Sequence, residues 1–178
     1  MAFIEKAIPL GGIKVEELCE ALKYSDVVLT EGMTSAEAIA AISKEYGVPK
    51  TLYEFGKEHE DVTGGWVMSG NNASKQAASL YLRGGNDKSS YADTVNLIDL
   101  TEVQAVRFHT YNNTSGRAYV GVKSAAGTRT KDALSGTGIK TTDYDVSELS
   151  GGYYVFAETF AYSGYSSDAN VLKVELIY

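Results

Sequence analysis

The residues of this chain best suited to acid–base or nucleophilic chemistry are two histidines and one cysteine. Catalysis by such groups needs a neighbour that sets their protonation state. His59 lies in Lys57-Glu58-His59-Glu60-Asp61, a charged connector that reads as a solvated loop. His109 alternates with Phe108 and Thr110, the pattern of a surface or half-packed histidine on a strand. Cys19 falls in an apolar helical stripe with no local base, which reads as a packed, inert thiol. A single cysteine also excludes an intrachain disulfide. The chain contains no H-E-x-x-H, nucleophile elbow, P-loop or C-x-x-C spacing. The expectation is a protein that is not an enzyme.

Oxygen donors gather in two places, Glu58, Glu60 and Asp61, and again Asp143 and Asp145. Neither group has the spacing of a defined calcium loop. Turn-forming, solvated carboxylates are the favoured reading, with a structural calcium ion as the alternative and no other cofactor expected. The aromatic residues offer a sharper chemistry. Sugars stack on aromatic faces while nearby amides and carboxylates fix their hydroxyls. Trp66, Tyr91, Tyr111, Tyr119, Tyr162 and Tyr165 are candidates for that task. Tyr162 and Tyr165 flank Ser163-Gly164 in a loop-like stretch. With Tyr111 and Trp66 they form the ligand-binding set put forward here. The competing reading is packing, because strand tyrosines commonly pair across a sheet and Trp66 at a strand start reads first as core.

The elements that must carry these residues change character near residue 50. Before it, Phe3 to Leu10 reads as a short extended segment closed by Pro9 and Gly11-Gly12. Val15, Leu18, Cys19 and Leu22 fall on one face of a helix over Lys14–Lys23. Val27-Val28-Leu29 is a strand or buried connector. A second helix over Ala36–Tyr46 is announced by Thr34 and Glu37, a capping box, and closed by Gly47 and Pro49. From Leu52 onward the helical period gives way to alternation. Strands are expected at Trp66–Met68, Leu80–Leu82, Val95–Leu100, Ala105–Tyr111, Ala118–Lys123, Tyr153–Phe160 and Val171–Tyr178. The turn Asn112–Gly116 suggests that the strands on either side of it form a hairpin. Ala125–Thr142 reads as a long surface loop with some extended pieces. In the last strand, Leu172, Val174, Leu176 and Tyr178 share one face, and Val171, Lys173, Glu175 and Ile177 the other. Ile98-Asp99-Leu100-Thr101-Glu102-Val103 is echoed by Tyr144-Asp145-Val146-Ser147-Glu148-Leu149, which reads as a repeated corner held by Asp and Thr or Ser.

Short strands with polar turns give the fold class, mainly β, as an antiparallel sandwich of jelly-roll type with a small N-terminal two-helix segment. Two parts are expected: residues 1–50 as a helical anchoring segment and residues 51–178 as the sandwich. The 13 tyrosines and 18 glycines suit pleated strands and turns. A net charge of −7 with no basic run excludes a nucleic-acid or acidic-membrane partner. No apolar run approaches the ~20 residues of a membrane span, and the N-terminus reads as lacking a secretory signal.

The ordered pattern Leu52-Tyr53 to Gly56, Val62-Thr63-Gly64-Gly65-Trp66, Ile98-Asp99-Leu100-Thr101, Ala118-Tyr119-Val120-Gly121-Val122 and Asp145 to Val155, including Ser150-Gly151-Gly152-Tyr153-Tyr154, with a final apolar strand, resembles a known group. It is similar to the jelly-roll, galactose-binding-like sandwiches of phage and prophage structural proteins, in tail fibres, baseplates and capsid decoration. That resemblance implies a virion protein made in the bacterial host cytoplasm. Its N-terminal segment would hold other virion proteins, and its sandwich would be displayed for decoration, fibre formation or attachment to cell-surface glycans. It also implies a homo-oligomer, a trimer by analogy. The alternative is a stand-alone carbohydrate-binding module.

Overall fold

A computed structural model of the protein describes residues 41, 45, 47, 49–54, 63–113 and 117–178. The chain divides into two compact units, one of Met1–Lys50 with Tyr178 and one of Thr51–Ile177. In the first, Ala41 and Glu45 are helical. The rest of the two expected helices, the extended segment before them, Val27-Val28-Leu29 and Cys19 lie outside the described residues, as do His59 and the Glu58, Glu60 and Asp61 group.

The second unit is built on strands β1 Lys50–Glu54, β2 Trp66–Gly70, β3 Asn72–Lys75, β4 Leu80–Gly85, β5 Lys88–Thr94 and β6 Ile98–Asp99. They are followed by β7 Ala105–Asn112, β8 Ala118–Ser124, β9 Arg129–Ala133, β10 Gly138–Asp145, β11 Gly152–Ala161 and β12 Ser166–Ile177. Hydrogen bonding joins them in the order β10-β7-β12-β4-β5-β11-β8-β9, with β1 beside β12, β3 beside β4, β2 beside β5 and β6 beside β11. The hinge of this path is the β4–β5 turn. Asn86 and Asp87 both hold positive φ, 53° and 60°, as a tight two-residue hairpin turn requires. The two strands pair only at Gly85 and Lys88 before diverging, β4 to join β12 and β5 to join β11. The result is a sandwich, with β10-β7-β12-β4-β3 in the first layer and β2-β5-β11-β8-β9 in the second.

Alternation places one face of each layer in the core. Val106 and Phe108 of β7, Leu80 and Leu82 of β4, and Val171, Val174 and Leu176 of β12 are buried from the first layer. Val120 and Val122 of β8, and Val155 and Ala157 of β11, are buried from the second. Burial of such side chains, about 1.5–3 kcal/mol each, is the main force holding the layers together.

Several expectations need correction. The strands around Asn112–Gly116 are not a hairpin: β7 pairs with β10 and β12, and β8 pairs with β11 and β9. The connection crosses between layers, which a turn signal alone cannot distinguish from a hairpin. The stretch Ala125–Thr142 holds edge strand β9 and most of edge strand β10, whose side chains are largely exposed and so carry no apolar alternation. Only Ile98–Asp99 of the expected strand Val95–Leu100 is extended, with Val95 and Leu97 exposed. β12 starts at Ser166, ahead of the expected start at Val171, and its register shifts between Val171 and Lys173. That bulge at Leu172 turns Val171 to the same side as Val174 and Leu176, against the regular alternation expected there.

The repeated corner is present in atomic detail. Asp99 Oδ1 accepts from the Thr101 N–H at 2.9 Å, and Asp145 Oδ1 accepts from the Ser147 N–H at 2.9 Å. The Val103 N–H then donates to Leu100 O, and the Leu149 N–H to Val146 O, at 3.0 and 2.8 Å. These hydrogen bonds hold both aspartates below the ordinary carboxylate range.

Candidate functional site

β11 is the middle strand of the second layer, and its outward side chains are Tyr154, Phe156, Glu158 and Phe160. Register aligns the neighbours. Lys123 lies opposite Tyr154, Gly121 opposite Phe156 and Tyr119 opposite Glu158 on β8. Asp93 lies opposite Phe156 and Tyr91 opposite Glu158 on β5. On the outer strand β9, Arg129 lies opposite Lys123 and Lys131 opposite Gly121. This outer face is therefore a lattice of aromatic rings and charges.

The charges are paired in place. Asp93 binds Lys123 Nζ at 2.8 Å and Arg129 Nη2 at 2.9 Å. Glu158 binds Lys131 and accepts from Ser89 Oγ at 2.8 Å. Both carboxylates are nearly buried, 6% and 5% exposed, which their partners make tolerable. The same cations lie over the rings. Lys123 Nζ is 4.6 Å from the Tyr154 centroid and Lys131 Nζ 4.2 Å from that of Tyr119. Arg129 Cζ is 4.5 Å from the Tyr91 centroid and 4.4 Å from that of Phe156. Phe156 is thus fully buried although it points outward. Gly121 makes room for β9, since a methyl there would lie 2.0 Å from the Thr130 carbonyl oxygen.

At the end of β11 the aromatic stripe continues. Phe160 meets Tyr162 edge to face at 5.0 Å, and Arg117 Cζ lies 4.6 Å from the Tyr162 centroid and 5.4 Å from that of Tyr165. The loop carrying the two tyrosines is tied down. The Tyr165 N–H donates to Tyr162 O at 3.0 Å, and the Ser163 N–H donates to Asp87 Oδ1 at 3.1 Å.

Of the sequence-derived set, Tyr162 and Tyr165 come together at this end and are 57% and 68% exposed. Tyr111 lies on the outer side of the first layer, opposite Ile139 and Asn170. Trp66 alternates with Val67, which lies opposite Asp93 on the outer side, so Trp66 turns inward and packs edge-on against Tyr53 at 5.9 Å. The structure does not join Tyr111 or Trp66 to the loop pair. Tyr91 and Tyr119, candidates outside that set of four, lie on the lattice together with Tyr154 and Phe156. The available signal was the run Tyr154, Phe156, Glu158, Phe160 at period two, a second buried-looking face with a carboxylate in it.

The remaining candidates among the described residues are occupied elsewhere. His109 shares hydrogen bonds with Glu175 through Nε2 at 2.8 Å and with Thr141 through Nδ1 at 3.2 Å. Asp143 takes two bonds from Arg107, at 2.7 and 2.8 Å, which hold its carboxyl below the ordinary range. With Asp145 held by Ser147, both carboxylates of the expected pair already have donors within the protein.

No family model and no curated protein matches the chain. Among solved structures, a family 29 carbohydrate-binding module matches at 12% identity and a TM-score of 0.50, over 72% of this chain and 89% of that one. A family 11 carbohydrate-binding module of a cellulosomal cellulase from Clostridium thermocellum matches at 13% identity and a TM-score of 0.49, over 72% and 94%. At these identities the first likeness concerns the fold, an antiparallel sandwich of jelly-roll type.

Proposed function

We propose that the chain is a non-catalytic carbohydrate-binding module, with the outer face of the second layer as its platform. The observation that carries this reading is the arrangement of Tyr91, Tyr119 and Tyr154 around the paired Asp93 and Glu158. Tyrosine rings stack on the apolar faces of sugar rings, and lysine and arginine donors beside them meet the hydroxyls. From Tyr154 to Phe160 the central strand runs roughly 20 Å at ~3.3 Å per residue, enough for several sugar units of one polysaccharide chain. The ion pairs hold the platform rigid before binding, which lowers the entropic cost of association. The module of TM-score 0.50 is named for carbohydrate binding, which agrees with this reading.

Asp93 and Glu158 are taken up by cations and a hydroxyl, so neither is free to serve as a general acid or base. The virion role implied by the sequence resemblance has no observation behind it, and the matching structure of TM-score 0.50 is named as a carbohydrate-binding module. Affinity electrophoresis against a panel of soluble glucans, mannans, xylans and polyuronates tests the reading. Retardation by at least one polymer is expected. Free migration through the whole panel would remove it.

A further inference from the structure

We infer that the loop end of this platform recognises a carboxylate, so that the polysaccharide bound is one containing uronic acid. The inference rests on the carbohydrate-binding reading and names the substrate class of the same face. Four cations serve the face, Arg117, Lys123, Arg129 and Lys131, against the carboxylates Asp93 and Glu158 that pair with the last three. Arg117 has no ion pair among the described residues. Two further carboxylates lie near the face: Asp87, which accepts from the Ser163 N–H, and Asp99, opposite Gly152 at the far end of β11, which accepts from the Thr101 N–H.

The geometry of Arg117 suits this role. Its guanidinium lies over the rings of Tyr162 and Tyr165, the two most exposed tyrosines among the described residues. Guanidinium donors project in the plane of the group, so a guanidinium lying over ring faces keeps N–H edges for a bidentate bond to a carboxylate. The loop is already held by the Tyr165–Tyr162 and Ser163–Asp87 bonds, so ordering it costs little on binding. A uronate could present its carboxylate to Arg117 and the apolar face of its ring to an exposed tyrosine. A neutral sugar offers that cation no charge partner.

The test compares polygalacturonate and alginate with their carboxyl-reduced forms, and with neutral glucans and mannans, by affinity electrophoresis and calorimetry on the full chain. At least one polyuronate is expected to bind at least tenfold more tightly than its reduced form. R117Q should remove most of that difference while leaving the thermal midpoint unchanged, and affinity should fall as salt rises. Equal binding of a polyuronate and its reduced form overturns the inference whether or not the variant folds. Binding of a neutral glucan or mannan with no binding of either polyuronate overturns it too, and leaves the carbohydrate-binding reading standing. Binding of no polymer removes both.

Discussion

Arg107 and Asp143 show how a single pair sets a pH response. Hydrogen bonding from Arg107 lowers the Asp143 carboxyl pKa in the folded state. A carboxyl depressed on folding contributes stability above its unfolded value, and that contribution is lost as pH falls through the folded value. Asp99, Asp145 and Glu175 are shifted in the same direction. For Glu175, burial opposes the shift, and bonds from Lys173 and His109 outweigh it. Thermal midpoints measured from about pH 6 to about pH 2 should therefore decline below about pH 4, the ordinary carboxylate range. D143N should lie below the wild type at neutral pH and converge on it in acid. Trp66 belongs to this scale as well. Its ring packs on Tyr53, whose own hydroxyl pKa burial raises, and W66A should cost about 2 kcal/mol of stability in denaturant melts. It should leave glycan affinity unchanged.

At the scale of elements, β9 carries two of the lattice cations, and its seat depends on Gly121. A methyl at that position would strike the Thr130 carbonyl oxygen at 2.0 Å and Lys131 Cα at 2.8 Å, both backbone atoms. G121A should therefore push β9 off β8, with a loss of roughly 1–3 kcal/mol in stability. Because Arg129 and Lys131 would move with the strand, glycan affinity should fall with it, and both are read in one set of melts and titrations. The elements also mark where the sequence was legible. β7, β8, β11 and much of β12 announce themselves by apolar alternation, and the Asp99 and Asp145 corners by their local hydrogen-bonding residues. β5, Lys-Ser-Ser-Tyr-Ala-Asp-Thr, has no such pattern, because its inward positions are small or polar and its outward ones belong to the lattice. The edge strands β9 and β10 are silent for the complementary reason, having little core to face. The site spans β5, β8, β9 and β11, so it could be seen only once register brought those strands together.

For the whole molecule, Thr51–Ile177 forms its own compact unit with its own core. A chain shortened to begin at Lys50, which keeps β1 complete, should melt cooperatively and keep full glycan affinity. Light scattering on the full and shortened chains reads the expected homo-oligomer at the same time. A fall to monomers on shortening would make the residues before Lys50 the assembly element. Monomers in both would remove the oligomer. The sandwich itself was legible from strand number and turn chemistry, whereas the face that could bind was not, since both layers expose tyrosines. Calorimetric titration of the retained polysaccharide into wild type, a Tyr119→Ala, Tyr154→Ala double variant and Tyr111→Ala decides between those layers. Each stacked ring is worth about 1 kcal/mol, so the double variant should bind roughly thirtyfold more weakly while Tyr111→Ala binds as wild type does. Loss of binding in Tyr111→Ala with full binding in the double variant would contradict the account and move the site to the first layer.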